Sequence, residues 1–429
     1  MAMRKCIFFI IFSVLSFSPF VFAQESEVLD SVLKTGCDLQ KAIDIALKNN
    51  PELTAMALEL DAAESRIKQA GLWPNPTFEA ESEDFSGDNP GFSHTQNTFS
   101  ITQPFLLGGK IKYRKKITEK ERELLHLNYE KNKIDLILDV EEAVYDVLLA
   151  QKNLEFAVEA QEIAKNLCDF NTEEVKHKDS SGHQLLSAEI ELSQAEIEIM
   201  DAKKSLEIAR KSLTTLWGVP ENPLGKCEGS LDRKFDIPEY SKLKEYLLEN
   251  NPEIKAINLQ QERGDFLLKS VKAERIPDVE IGFGVRRIEE DDTHAFVAGF
   301  SVPLPLFNRN QGSIQEALVN QKKVEVDGNA IRNRLLFELN EAYKTFQTAL
   351  QQTDIFKSTI LPKTEQYFNL TTESYNGGAL EYLEVLEAER TLVETKKRYV
   401  ELMKTLQSSV ANLERLCSQH FHGSKGEMF

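Results

Sequence analysis

The chain has 429 residues, 41% hydrophobic and 28% charged, with 69 acidic against 51 basic side chains and a formal net charge of −18. So acidic a chain is not expected to bind nucleic acid, whose phosphates need a basic face. With only 20 Gly and 14 Pro it favours long helices, yet past the N-terminus no stretch carries the ~20 apolar residues of a transmembrane helix, so any bilayer contact has to come from strands.

At the N-terminus Arg4 and Lys5 precede an apolar run from Cys6 to Phe17, and Val21-Phe22-Ala23 stands ahead of Gln24. This pattern predicts a secretory signal peptide, residues 1–23, cut between Ala23 and Gln24. The apolar run is too short to span a bilayer, and no cysteine sits at the cut to carry lipid. The mature chain is therefore expected to be exported and free of lipid. Cys37, Cys168, Cys227 and Cys417 then meet an oxidising compartment, but their wide spacing is no disulfide framework and predicts no specific bond. Cys417, His420 and His422 have metal-like spacing in a tail expected to fray.

Aligned against itself, the chain repeats with a period of about 200 residues, far beyond the short solenoid repeats. Asn49-Asn50-Pro51-Glu52 returns as Asn250-Asn251-Pro252-Glu253, Gln103-Pro104 as Val302-Pro303, Phe170-Asn171 as Phe368-Asn369, and Ala188-Glu189 as Ala388-Glu389. The expected organisation is a first repeat over 24–217, a Gly- and Pro-marked linker over 218–238, a second repeat over 239–417 and a tail over 418–429.

Each half reads as helix, strand, strand, long helix, reversal, helix. From Thr77 to Asp84, Phe78, Ala80 and Ser82 alternate with Glu79, Glu81 and Glu83, a period of two that puts one set on each face of a strand. Phe99 and Ile101 alternate likewise with Ser100 and Thr102. In the second half Val279, Ile281, Phe283 and Val285 oppose Glu280, Gly282, Gly284 and Arg286, and Phe296, Ala298 and Phe300 oppose Val297, Gly299 and Ser301. The links 86–95 and 288–294 are polar and turn-prone.

From Lys110 to Ser181 there is neither Gly nor Pro, about 70 residues that would span about 100 Å as one helix. Leu136, Val140, Val144, Val147, Leu148, Leu154 and Val158 form an apolar stripe along it. The counterpart, Gln311 to Tyr375, carries Ile331, Leu335, Leu339, Tyr343 and Phe346, with defects expected at Gly328 and Pro362. Both rods are predicted to end in reversals, Ser180-Ser181-Gly182 and Asn376-Gly377-Gly378, followed by returning helices over Leu185 to Leu216 and Tyr382 to Leu416.

Four amphipathic strands cannot close a membrane barrel alone, since the smallest need about eight, and open edges are not tolerated in lipid. Alternation by itself suits an ordinary soluble sheet covered by helices equally well. Export together with rods several bilayers long favours a channel whose wall continues into the periplasm.

Six segments in order carry a resemblance: CDLQKAIDIALKNNPEL (37–53), AGLWPNPTFEAE (70–81), TQPFLLGGK (102–110), RIPDVEIGFGV (275–285), VPLPLFNRNQGSIQEA (302–317) and YNGGALEYLEVLEAERTL (375–392). In these the sequence resembles the TolC-like outer-membrane factor family, and within it the CzcC-type cation-efflux branch. The resemblance implies a mainly α fold with a membrane β-barrel portion. It also implies a homotrimer in outer-membrane lipid, with a barrel of about twelve strands continuous with a long periplasmic α-helical barrel. Its implied partners are a periplasmic adaptor protein and an inner-membrane pump of the resistance-nodulation-division (RND) type, and its implied role is passive conduction of substrate, heavy-metal cations in this branch. Drug efflux and type I protein secretion share the fold; a periplasmic adaptor would show one helical hairpin between β-rich domains, and a free-standing periplasmic coiled coil would leave the strands unexplained.

The resemblance also places the reversals at the periplasmic tip, where Glu384 and Glu387 match the tip acids and Glu189 is the acidic residue of the corresponding first-half stretch. Threefold copies would make an acidic ring, although charges on helices are usually solvated surface. Pro104, Gly108 and Gly109, and Pro303, Pro305 and Gly312, are expected to end strands and turn the chain into the rods. His177 and His183 flank the first tip without a third ligand. No catalytic constellation or phosphate-binding loop stands in credible context, so no enzyme activity and no cofactor are expected.

Overall fold

The computed structural model describes residues 37–85, 91–177, 182–231, 235–419 and 421. Helices α1 (Leu39–Asn49) and α2 (Pro51–Ala70) precede strands β1 (Thr77–Glu83) and β2 (Gln96–Phe105), then α3 (Lys110–His177) and α4 (Gly182–Leu216). The second half runs α5 (Tyr240–Asn250), α6 (Pro252–Ala273), β3 (Val279–Ile288), β4 (Thr293–Ser301), α7 (Gln311–Ile355), a π-helical turn (Phe356–Ile360), α8 (Leu361–Asn376) and α9 (Tyr382–Cys417). The two halves thus repeat one order of elements, as the sequence repeat predicts.

The repeated Asn-Pro-Glu has a local cause. Asn50 Oδ1 accepts the Leu53 N–H at 2.9 Å and Asn251 Oδ1 the Glu253 N–H at 2.9 Å, so each asparagine caps the helix after it. Pro51 and Pro252 open the first turn, where the missing N–H costs nothing, and Glu52 and Glu253 face the positive end of the helix dipole.

Contacts divide the chain into two compact units: 1–48 with 143–231, and 49–142 with 232–429. In the first, Val144, Val147 and Leu149 of α3 are buried, as are Ala202, Leu206 and Leu213 of α4 and Trp217 just after it. Trp217 is 1% exposed and its indole N–H donates to the Ala42 carbonyl at 3.0 Å, which fixes α1 to the end of α4. Gly218, at φ +75°, ends α4 as the left-handed residue of a Schellman turn, with Val219 N–H reaching Thr214 C=O at 3.0 Å.

In the second unit the core runs through Leu243, Leu247, Ile254, Leu335, Leu339, Phe346, Leu406, Val410, Leu413, Cys417 and Phe421. Of the tail expected to fray, Phe421 packs into this core. Phe421 is buried, its N–H donates to Glu414 Oε1 at 2.6 Å, and the Cys417 thiol donates to the Leu243 carbonyl at 3.5 Å. Burial, and then the Glu414 charge, push the Cys417 thiol up to about 12; His420 and His422 lie outside the described residues.

Other expectations need correction. Leu136, Val140, Val144, Val147 and Leu148 are buried, but Val158, assigned to the same stripe, is 47% exposed. Gly328 is no defect: it lies inside α7, and a Cβ there would stand 2.9 Å from Ile257 Cγ2, so glycine lets α6 and α7 approach. The interruption falls just before Pro362, whose ring and missing N–H disturb the preceding turn. There the helix widens, and Leu361 N–H reaches back five residues to Phe356 C=O.

Replacing Asn50 with Ala should cost about 1 kcal/mol through the lost cap, and Asn50→Ser should recover most of it. Thermal unfolding of the two variants checks this; equal losses would assign Asn50 a packing role instead.

Candidate functional site

The four strands form one antiparallel sheet in the order β1-β2-β3-β4, so the two hairpins, one from each half, join through β2 and β3. The register sorts the faces. Phe78 pairs with Ile101, Ile101 with Phe283 and Phe283 with Ala298, while Ala80, Phe99, Val285 and Phe296 make the next row. The opposite face carries Glu79, Ser100, Gly284 and Val297 in one row and Glu81, Thr98, Arg286 and Ala295 in the next.

The apolar face is bare, with Phe283 67% exposed, Phe296 95% and Phe300 73%. A soluble sheet would bury these rings under helices; here, among the described residues, nothing covers the aromatic band or pairs with the two outer strand edges. On the polar face Arg286 is the basic residue among Glu79, Glu81, Glu83 and Glu280. Its guanidinium donates to Thr98 Oγ1 at 2.9 Å and Gln96 Oε1 at 3.1 Å and pairs with Glu83 at 3.5 Å.

The passage from β2 into α3 is built around two glycines. Gly108 has φ +70° and Gly109 φ +79°, and a Cβ on Gly108 would lie 2.8 Å from Ile276 Cδ1. Pro104 is the penultimate residue of β2 rather than its terminator; β1 pairing stops at Thr102, so β2 is half free there and tolerates a residue with no N–H. In the second half Pro303 and Pro305 do follow β4. Gly312 is not the turning residue: it sits in the first turn of α7, and Asn310 takes the left-handed conformation at φ +55°. Two hydrogen bonds hold Asn310 there: its N–H donates to Asn308 Oδ1 at 3.0 Å and its side-chain amide to the Val271 carbonyl at 2.8 Å.

Sequence reasoning missed the side chains that lock these junctions. Asp278, just before β3, accepts the Leu107 N–H at 3.0 Å and Lys110 Nζ at 2.8 Å, with Glu274 3.4 Å from the same ammonium. Arg114 donates to the Ala70 and Leu72 carbonyls at 2.7 and 2.8 Å, satisfying the end of α2. Asp278 and Lys110 are 168 residues apart, and no local pattern links them.

At the second reversal Gly378, φ +74°, forms a Schellman turn in which Ala379 N–H reaches Ser374 C=O at 2.9 Å. Glu381 and Glu384 then close a capping box, the Glu381 N–H donating to Glu384 Oε2 at 3.0 Å. Glu384 and Glu387 are both exposed, one turn apart, whereas Val385, Leu386, Ala388 and Glu389 are buried. Glu189 is exposed on α4 in the other compact unit, so the Ala188-Glu189 and Ala388-Glu389 pairs do not share an environment. Burial first, and then the charge of Glu189, raise the Cys168 thiol. At the first reversal 178–181 lie outside the described residues.

A family model described as outer membrane efflux protein matches residues 42–219 and again 243–418. The chain belongs to the outer membrane efflux protein family. It is 30% identical over 378 residues to the cobalt-zinc-cadmium resistance protein CzcC of Cupriavidus metallidurans, covering 88% of this chain and 89% of that protein. It is 24% identical over 324 residues to the nickel-cobalt-cadmium resistance protein NccC of Alcaligenes xylosoxydans xylosoxydans, covering 74% and 70%. Among solved structures CusC superposes with a TM-score of 0.74 at 19% identity, covering 89% of this chain and 92% of that one, and the Campylobacter jejuni CmeC outer membrane channel with 0.75 at 16%, covering 90% and 87%. These two share the fold. Membership places the chain in the outer membrane with its helical part in the periplasm, and the family is one of transport proteins rather than enzymes. Among the described residues no helix is long and apolar enough to cross a membrane. An aromatic face left exposed on the strands of a membrane β-barrel is the face expected to meet lipid.

Phe283→Arg, in mid-strand on the apolar face, should therefore cost about 2–4 kcal/mol of membrane stability. Glu79→Arg, on the polar face, should leave the amount of folded protein in outer-membrane fractions unchanged. Equal recovery of both variants would contradict this assignment of faces.

Proposed function

We propose that the protein is the outer-membrane channel subunit of a tripartite efflux system, a homotrimer that passively conducts heavy-metal cations outward from a periplasmic adaptor and an inner-membrane RND-type pump. The observation that carries this reading is the four-stranded sheet with a bare aromatic face and two unpaired edges. Three copies, each placing its β4 beside the β1 of the next, would close a barrel of about twelve strands and leave no edge in lipid. Its polar face would then line a water-filled lumen with Glu79, Glu81, Glu83 and Glu280 from each copy, partly offset by Arg286.

Apolar stripes on the helices support assembly as well. Leu186, Ile190, Ile197, Met200 and Ile208 are exposed along one side of α4, and Val319, Val326, Phe337 and Ile355 along one side of α7. Neighbouring copies of the chain are the natural cover for faces of this length in a helical wall. Cation cargo is supported by the acidic lumen face and by the relatives whose names denote resistance to cobalt, zinc, cadmium and nickel. Both relatives concern resistance to divalent metals, which is the reading that separates this channel from drug or protein export.

At the tip, Glu384 and Glu387 are proposed to form the acidic entrance. Two features make the test clean. Gln at the third helical position preserves a capping box, so Glu384→Gln removes charge without removing the cap, and Glu387 takes no part in that cap. In planar bilayers the Glu384→Gln/Glu387→Gln double variant should lose several-fold in cation over anion selectivity at unchanged folded yield. Unchanged selectivity and conductance would discard the ring.

Removal of the whole chain from its host should lower tolerance to zinc, cobalt or cadmium several-fold and leave tolerance to hydrophobic drugs as it was. Growth inhibition across both groups of compounds measures this. The opposite pattern would assign the channel to drug efflux.

A further inference from the structure

Two cysteines far apart in sequence meet in the first compact unit. Cys37 Sγ lies 3.2 Å from Cys227 Sγ across 190 residues of chain, with the thiols 2% and 1% exposed. The backbones are fixed around them. Glu228 N–H donates to the Cys37 carbonyl at 3.0 Å, which sets the segment before α1 beside the linker after α4. Gln151 of α3 holds Cys227 from both sides, its amide donating to the Cys227 carbonyl at 3.0 Å and its oxygen accepting the Cys227 N–H at 3.1 Å. Next to this clamp Gly229 packs so closely that a Cβ would come within 2.9 Å of Leu148 Cδ1.

We propose that Cys37 and Cys227 form a disulfide in the exported protein, closing the whole first repeat into a covalent loop and fastening the N-terminal segment to the inter-repeat linker. Sulfur atoms at 3.2 Å need move only about 1 Å to reach bonding distance. Widely spaced cysteines gave no such pairing in the sequence; the fold supplies it. The contact between the two buried thiols raises Cys37 and lowers Cys227.

The oxidant required is the disulfide of a periplasmic thiol-disulfide oxidoreductase. The thiolate of one cysteine attacks that disulfide, forming a mixed disulfide and releasing one oxidoreductase thiolate. The second cysteine thiolate then attacks the sulfur of the first, forming the Cys37–Cys227 bond and expelling the other oxidoreductase thiolate. Two electrons pass to the oxidoreductase, and the two protons leave with the deprotonation of the cysteines. Because both thiols are buried in the folded unit, the exchange belongs to folding after export, before the linker docks. Cys168 is the more accessible thiol, and Cys417 donates to the Leu243 carbonyl; the sulfurs that meet are those of Cys37 and Cys227.

The full-length protein purified from outer membranes, acid-quenched, denatured and treated with N-ethylmaleimide tests this by intact mass and peptide mapping. With no reductant the mature chain should take up two adducts, on Cys168 and Cys417, and the Cys37 and Cys227 peptides should appear joined. After reduction it should take up four. Cys37→Ser and Cys227→Ser, each leaving one partner unpaired, should take up three with no reductant. This count is read in denaturant and does not depend on the variants folding. Four adducts on the unreduced wild-type chain, as free or metal-bound thiols would give, would overturn the proposal, and so would a linkage through Cys168 or Cys417.

Discussion

A strand edge in hydrocarbon has nowhere to send its N–H and C=O groups, and each one left unpaired costs several kcal/mol. That constraint bears on every part of this chain. β1 and β4 are the outer strands of the sheet, and the face they share with β2 and β3 displays Phe78, Phe99, Phe283, Phe296 and Phe300 with no helix over it among the described residues. In the proposed channel, further copies of the chain complete a sheet that enters lipid and cannot close on itself. The hairpins and their repeat then make sense together: two hairpins per chain give each copy a four-stranded share of the wall, joined through the β2–β3 seam.

The junctions show how such a sheet is attached to long helices without strain spreading into either. Gly108 and Gly109 turn the chain through left-handed conformations that a larger residue would resist, and Asp278 ties that turn to the entry of β3 in the other half. The second half solves the same problem with Asn310 and its two hydrogen bonds. The two repeats therefore share a layout but differ in the residues that bear the bend. The same divergence appears at the tips, where Glu189 is exposed and its repeat mate Glu389 is buried.

Much of this was legible in the sequence because it is local. Strand alternation, the Asn-Pro caps, the Gly-Gly reversal at 377–378 and the absence of Gly and Pro along α3 each depend on residues a few positions apart, and the strand faces come out as the period of two predicts. What stayed hidden depends on contacts between distant segments. Gly328 looks like a helix breaker until Ile257 of α6 is found against it, and Val158 continues an apolar spacing onto a surface that the chain leaves open. Gly312 looks like the turn residue because glycine commonly is, whereas the short side chain of Asn310 bears the positive φ. The tail beyond Cys417 reads as frayed from its polarity, yet Glu414 captures the Phe421 N–H and pulls the ring into the core. Cys37 and Cys227, and Lys110 and Asp278, are pairings across most of a repeat that no spacing rule reveals.

Closure of the sheet by neighbouring copies is the central claim, and backbone amide hydrogen exchange of the protein reconstituted in lipid vesicles measures it strand by strand. If β4 of one copy pairs with β1 of the next, the amides of Thr77–Glu83 and Thr293–Ser301 should be protected as strongly as those of Gln96–Phe105 and Val279–Ile288. Protection confined to β2 and β3, with both outer strands exchanging freely, would contradict it.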